Sequence, residues 1–285
     1  MESSKKIVDS IAIGRFDGFH LGHKGLFQAL TKNGAILIIY RKSSEYILPY
    51  RFTKNYVDYP IFRYDLDDIR DLDGRQFLEK IFLDFPNLKK IVVGYDFFFG
   101  RGRGCSAFDL KNSCRCKVEI IDEVKFNGIS IHSGEIIRLL KSGDIESANQ
   151  LLGRPYSIIG KHIKGQGIGG KLLVPTINIE FQDFVIPKNG VYLTKTHLEN
   201  GKFFSISFIG KRETTDGNFA LETHILDRYV EENNNTLVKV EFIDFIRENR
   251  QFQNLQELKM AIDGDVQSAK EILNHSSNLH QTLTM

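Results

Sequence analysis

The chain has 285 residues, 41% hydrophobic and 26% charged, enough for one large domain or two ordinary ones with real cores. Its net charge of +2 lacks the concentrated basic surplus of a phosphate-backbone binder, and no apolar run approaches the roughly 20 residues that cross a bilayer, so neither a nucleic-acid nor a membrane partner is expected. Cys105, Cys114 and Cys116 are odd in number and fit neither a disulfide scaffold nor a zinc ribbon; residues 1–10 carry no charged-then-apolar leader, so reduced thiols and a cytoplasmic location are expected.

In chain order, the first half alternates strand-like and helix-like segments. Residues 11–13 read as a strand, 24–31 as a helix and 35–40 as a buried strand. Residues 75–83 read as a helix with Phe77, Leu78, Ile81 and Phe82 on one face, and 91–93 and 118–121 as short buried strands. This alternation predicts a parallel sheet with crossover helices, whose ligands sit beyond the carboxyl ends of the strands. Two turns stand at such ends: Gly14-Arg-Phe-Asp-Gly-Phe-His-Leu-Gly-His23 and Gly94-Tyr-Asp-Phe-Phe-Phe-Gly100. Two short helices follow, 133–141 and 144–152, divided by Ser142-Gly143.

The first turn carries chemistry. His20 and His23 are three apart with Gly22 between them, so both imidazoles can face one point at a helix start, where free N–H groups already favour an anion. Gly14, Gly18 and Gly22 keep the backbone bare for a phosphate chain. Apart from Asp17 the segment has no further ligand-type group, which suits a triphosphate better than a metal. Histidines that merely cap a helix are the plain alternative. The joint placing of Gly, Phe, Asp, Gly, His, Gly and His favours the nucleotide.

The segment resembles the G-x-F-D-G-x-H-x-G-H signature of the bacterial FMN adenylyltransferase module, a nucleotidyltransferase of the HxGH type. The second turn fits that family's V-G-x-D/N-F-x-F-G pattern, and Ser133-Gly-Glu-Ile-Ile-Arg138 keeps the Ser and Arg of its Ser-Ser-Thr-x-x-Arg. The resemblance implies substrate and nucleotide binding by Gly14, Phe16, Asp17, Gly18, Gly22, Asp96, Ser133 and Arg138. It implies charge stabilisation by His20 and His23.

From residue 153 the pattern changes to short β-like runs at 156–162, 176–181, 191–197, 203–208, 219–225 and 237–242, then amphipathic helices at 255–262 and 266–273 and a polar tail. A closed or sandwiched β-domain is expected. Gly165-Gln-Gly-Ile-Gly-Gly-Lys171 matches G-x-G-x-x-G and most of a Walker A loop, but both need a helix next, whereas Leu-Leu-Val-Pro-Thr follows and residue 172 is Leu. A glycine flap whose amides fold over phosphates fits better. Thr176 and Asn178, two apart on a strand, share a face and offer oxygen ligands suited to Mg²⁺ held jointly with phosphates. Glu222 supplies a carboxylate in a strand-like run, a candidate general base.

Flap, P-T-x-N and strand glutamate, in this order, resemble the riboflavin kinase module. Gly153-Arg-Pro-Tyr156, Pro187-Lys-Asn-Gly-Val-Tyr192 and Phe242…Ile246-Arg247-Glu248…Phe252 add to the match. The whole chain is thus similar to the bacterial FAD synthase family, riboflavin kinase joined to FMN adenylyltransferase. The resemblance implies an α/β nucleotidyltransferase domain, Rossmann-like, over residues 1–152. An all-β riboflavin kinase domain, a six-stranded barrel with C-terminal helices, would cover 153–285. ATP would be co-substrate, and riboflavin, FMN and FAD substrates and products. Gly165, Gly167 and Lys171 would bind nucleotide, Thr176 and Asn178 would hold Mg²⁺, and Glu222 would take the proton of the ribityl hydroxyl. A monomer or weak homo-oligomer is expected. The flap departs from the family pattern, so adenylyl transfer alone, beside a flavin- or nucleotide-binding second half, is the alternative. A non-catalytic flavin sensor and an RNA-directed enzyme are the more distant ones.

Overall fold

The computed structural model describes residues 5–42, 44–165, 174–214, 216–227 and 235–282, with 276–282 as backbone alone. By contacts the chain divides into two compact units, residues 1–135 and 136–285.

The first unit is built on five parallel strands: β1 (Ser10–Gly14), β2 (Gly34–Tyr40), β3 (Ile61–Asp65), β4 (Lys90–Gly94) and β5 (Lys117–Ile121), in the order β3-β2-β1-β4-β5. Helices α1 (Leu21–Gln28), α2 (Gly74–Asp84) and α3 (Ala107–Ser113) lie between them in sequence. Strand side chains alternate between faces, and here both faces are covered. Ile11, Ile13, Leu37, Ile91 and Val93 pack with Phe77, Ile81 and Phe85 of the α2 region. Ala12, Ile36, Ile38 and Val92 pack with Leu26 and Leu30 and with Phe16 and Phe19 of the first turn. That is why β1 and β2 read as continuous apolar runs. α2 starts at a capping box, Gln76 N donating to Asp73 Oδ1 at 2.8 Å and Asp73 N to Gln76 Oε1 at 3.0 Å.

The second unit holds α4 (Ser133–Ser142, from its residue 136 onward) and α5 (Ile145–Leu152), followed by a closed barrel. The barrel strands are β6 (Tyr156–Ile163), β7 (Ile177–Glu180), β8 (Gly190–Leu198), β9 (Gly201–Lys211), β10 (Phe219–Ile225) and β11 (Leu237–Glu248), closed in the order β6-β7-β10-β9-β8-β11. All six neighbouring pairs are antiparallel. The contact division falls earlier than the 152/153 boundary read from the sequence because the two short helices are tied to the barrel. Lys188 N donates to Leu140 O at 2.9 Å, and Asn149 Nδ2 to Phe242 O at 2.9 Å.

One helix, α6 (Leu255–Thr282), replaces the two expected at 255–262 and 266–273. Asp263-Gly264 does not interrupt it; a mid-helix glycine costs about 1 kcal/mol against alanine, less than the packing of the helix returns. Ala269, Val266, Ile262 and Ile272 pack on Val191, Leu193 and Ile206 of the barrel. On the other face of those strands Thr194, Thr196, Ser205, Ser207 and Thr223 are fully buried and joined by hydroxyl hydrogen bonds of 2.7–3.0 Å. By alternation along β10, Thr223 points into the barrel, and Glu222 and His224 point to the opposite face.

Candidate functional sites

In the first unit, β1 ends at Gly14 and the chain turns through three left-handed residues, Phe16 (φ 47°), Gly18 (φ 82°) and Phe19 (φ 44°). A non-glycine residue accepts that conformation only where its surroundings hold it. Here the two rings are buried, Phe16 against Phe27 at 5.1 Å and edge-on to His23 at 5.2 Å between centroids. A Cβ on Gly18 would stand 2.9 Å from Ile47. The turn delivers His20 as N-cap of α1, and His23 N donates to His20 O at 2.9 Å. The two imidazoles then stack, centroids 3.6 Å apart and planes 23° apart. The structure thus brings the two rings together.

Asp17, expected to bind substrate or nucleotide, has one carboxylate oxygen engaged within the fold. Its carboxylate is buried, and Oδ1 accepts from Ile47 N at 2.9 Å and Leu48 N at 3.3 Å. Burial pushes its pKa up to about 6, against the lowering by those amides. Asp17 therefore fixes the 47–48 segment under the turn through Oδ1. Ser133, at the start of α4, donates its hydroxyl to Asp17 O at 3.0 Å and so joins the same turn. Asp96 is exposed in the second turn, its Oδ1 close over Gly94. Next to it Tyr95 donates to Glu123 Oε1 at 3.1 Å and lies 3.2 Å from His132 Nε2. Ser130, Lys125, Tyr95 and His132 together hold Glu123 down at about 2, the Ser130 hydroxyl foremost. Arg138 is exposed on α4, among the residues that cluster with the second unit, so its part rests on the motif alone.

In the barrel, Asn178 of β7 stands directly opposite Glu222 of β10, and Ile177 opposite Thr223. Asn178 is buried, and Thr176, just before the strand, is half-buried. The proline carbonyl before it is held: His224 Nδ1 lies 2.8 Å from Pro175 O. Gly165 lies so close on the Asn178 side-chain amide that a Cβ there would overlap it. Gly165 thus meets the P-T-x-N segment, while Gly167 and Lys171 lie outside the described residues.

One neighbour escaped the sequence reading. Arg212, just after β9, donates Nη1 to Glu222 Oε1 at 2.8 Å. Its Nε and Nη2 bind the two oxygens of Asp216 at 3.0 and 2.8 Å. The available signal was Arg212 and Asp216 four apart in a glycine-bounded turn beside the Glu222 strand.

Comparison with known proteins agrees with this layout. The riboflavin kinase (Flavokinase) family profile matches residues 152–273. A bifunctional riboflavin kinase/FMN adenylyltransferase of Haemophilus influenzae is 30% identical, over 93% of this chain and 94% of its own. The protein of the same name from Buchnera aphidicola subsp. Schizaphis graminum is 31% identical, with the same coverage. A crystal structure from Streptococcus pneumoniae described as a macrolide-efflux protein superposes with a TM-score of 0.80 at 25% identity, over 95% of this chain and 97% of that one. Among the described residues no helix is long and apolar enough to cross a membrane. With near-complete coverage at 30–31% identity and the kinase profile on the barrel half, the chain belongs to the bifunctional riboflavin kinase/FMN adenylyltransferase family.

Proposed function

We propose that this chain phosphorylates riboflavin with ATP to give FMN and then transfers an adenylyl group from a second ATP to FMN, releasing FAD and pyrophosphate. The observation that carries the first step is the register of Asn178 against Glu222, with Thr176 beside them. We assign phosphorylation to residues 153–285 and adenylyl transfer to residues 1–152.

In phosphorylation, the ribityl hydroxyl oxygen forms a bond to the γ-phosphorus, the bond to the ADP oxygen breaks, and Glu222 takes the hydroxyl proton. Thr176 and Asn178 offer a hydroxyl and an amide oxygen, hard donors that fit Mg²⁺. Among the described residues no three His, Cys, Asp or Glu side chains gather into a metal cage, which suits a cation shared with phosphates. Bound there, Mg²⁺ would neutralise phosphate charge. Gly165, with Gly167 and Lys171 of the flap, would close over the phosphates.

In adenylyl transfer, an FMN phosphate oxygen bonds to the α-phosphorus of ATP and the bond to pyrophosphate breaks. The attacking phosphate is already anionic and needs no base. His20 and His23 at the α1 N-terminus would stabilise charge on the α-phosphate and the leaving group, where free N–H groups already favour anions. Gly14, Gly18 and Gly22 keep that approach open. Phe16 and Asp17, with Asp96 and Ser133, would contribute to substrate and nucleotide binding.

Incubating the protein with riboflavin, ATP and Mg²⁺ and separating the flavins tests the proposal. FAD from riboflavin supports both steps. FAD from FMN but not from riboflavin would replace it with adenylyl transfer alone.

A further inference from the structure

We propose that Arg212 is a positioning residue for riboflavin phosphorylation: clamped by Asp216, it turns the Glu222 carboxylate so that its second oxygen receives the proton of the ribityl hydroxyl. The inference rests on the reading of Glu222 as the base.

The guanidinium is held at three points. Asp216 takes Nε and Nη2 as a fork, and Nη1 reaches Glu222 Oε1. A planar group bound in this way has little freedom left, so the carboxylate it binds is oriented as well as neutralised. The turn that carries the clamp is closed by its own backbone: Arg212 N donates to Asn218 O at 2.9 Å, and Gly217 N to Arg212 O at 3.1 Å. Asp216 is fixed in turn by Asn218, whose N and Nδ2 donate to it at 3.1 and 2.8 Å. Although partial burial opposes it, these bonds and the guanidinium keep Asp216 below the usual carboxylate range.

A partly exposed ion pair of this kind adds little stability. Its value here is geometric. Glu222 is flanked by Phe208 of β9 and Asn178 of β7, neither of which is charged. Arg212 is the cation that meets it among the described hydrogen bonds and ion pairs. With Oε1 engaged by Nη1, Oε2 is left to take the proton as the oxygen–phosphorus bond forms and ADP leaves.

A double-mutant cycle in the full-length protein tests this, with steady-state FMN formation as readout and FAD formation from FMN as a check within the same chain. Arg212→Gln should lower kcat for riboflavin about tenfold or more, as expected for a coupled neighbour, with KM for ATP and riboflavin within about twofold of wild type. Glu222→Gln should lower kcat by about 10²–10⁴. The double variant should match Glu222→Gln within about twofold, because Arg212 acts only through the carboxylate. Asp216→Asn, which leaves Arg212 and Glu222 in place, should show a smaller loss of the same kind and serves if Arg212→Gln lowers the melting temperature. The inference is overturned if Arg212→Gln costs as much in the Glu222→Gln background as in the wild-type one, if it raises KM for ATP at constant kcat, if it leaves kcat unchanged, or if, where Arg212→Gln does not fold, Asp216→Asn leaves kcat unchanged. An inactive Glu222→Gln with a fully active Arg212→Gln removes the inference alone; an active Glu222→Gln removes the base assignment as well.

Discussion

His20 and His23 lie ring over ring at the start of α1, 3.6 Å between centroids, and the residue that permits this is Gly22. A Cβ at position 22 would stand 2.8 Å from Ile131 O and 3.0 Å from the His20 ring. In an open helix, glycine to alanine gains about 1 kcal/mol. Here the new methyl must displace either a backbone carbonyl or the imidazole. Gly22→Ala should therefore cut FAD formation from FMN by about tenfold or more, the cost of a small misplacement of a reacting group. FMN formation from riboflavin should remain. Steady-state rates of the two half-reactions check this.

Asp17 gives the first unit a pH signature. Its folded pKa, about 6, lies above the ordinary 3.8. A raised pKa means that the stability tied to this group is complete below pH 4 and is lost as pH rises to about 6. The loss amounts to about 3 kcal/mol at most. An asparagine keeps Oδ1, the atom that accepts both amides, and does not ionise. Asp17→Asn should abolish the fall between pH 4 and 6 and raise stability at pH 7.5 by about 1–3 kcal/mol. Asp17→Ala, which strands both amides, should instead destabilise. Hydrogen exchange of β1 amides against pH reads all three.

The hydroxyl network inside the barrel predicts an asymmetry between similar substitutions. Thr223 bonds to Thr196 at 3.0 Å and Ser207 at 2.8 Å, all fully buried. Thr223→Val keeps the shape but leaves those hydroxyls short of a partner, at about 1–3 kcal/mol for each group left unsatisfied. Thr223→Ser retains the oxygen and should cost less. Urea unfolding of the two variants should rank them in that order, and equal midpoints would contradict the network's contribution.

Cys114 and Cys116 lie with their sulfurs 3.2 Å apart. The contact with Cys116 brings Cys114 down to about 7 and pushes Cys116 up. Cys114 should be the cysteine alkylated first by iodoacetamide, its rate rising with a midpoint near pH 7. Cys116→Ala should move that midpoint up toward an ordinary thiol, about 8.5. Mass spectrometry of peptides after timed alkylation gives both numbers.

Much of this arrangement is legible in the sequence where local pattern and tertiary structure agree. β1, β2 and β4 are apolar enough to need cover on both faces, and the fixed places of Gly18, Gly22 and the two histidines mark a turn under steric control. β3 was missed because Ile61-Phe-Arg-Tyr-Asp65 is an edge strand with an exposed Arg63 in the middle. α3 was missed because it is short, although the Ser106…Asp109 capping box announces it. β11 runs to Glu248, well past the run read at 237–242, because register shifts against β8 break the period-two pattern. Only the folded 47–48 segment reveals what Asp17 Oδ1 binds. Arg212 was invisible for a related reason: its partnership with Glu222 exists only once the β9–β10 hairpin brings them together.

If one chain carries two separate reactions, inactivating each site alone separates them. His20→Ala/His23→Ala and Glu222→Gln are each incubated with riboflavin or with FMN, plus ATP and Mg²⁺, and the flavins separated. The histidine variant should accumulate FMN from riboflavin and make little FAD from either flavin. The glutamine variant should leave riboflavin largely unconverted and turn FMN into FAD at the wild-type rate. Undiminished FAD formation by the histidine variant, or undiminished FMN formation by the glutamine variant, would contradict the account.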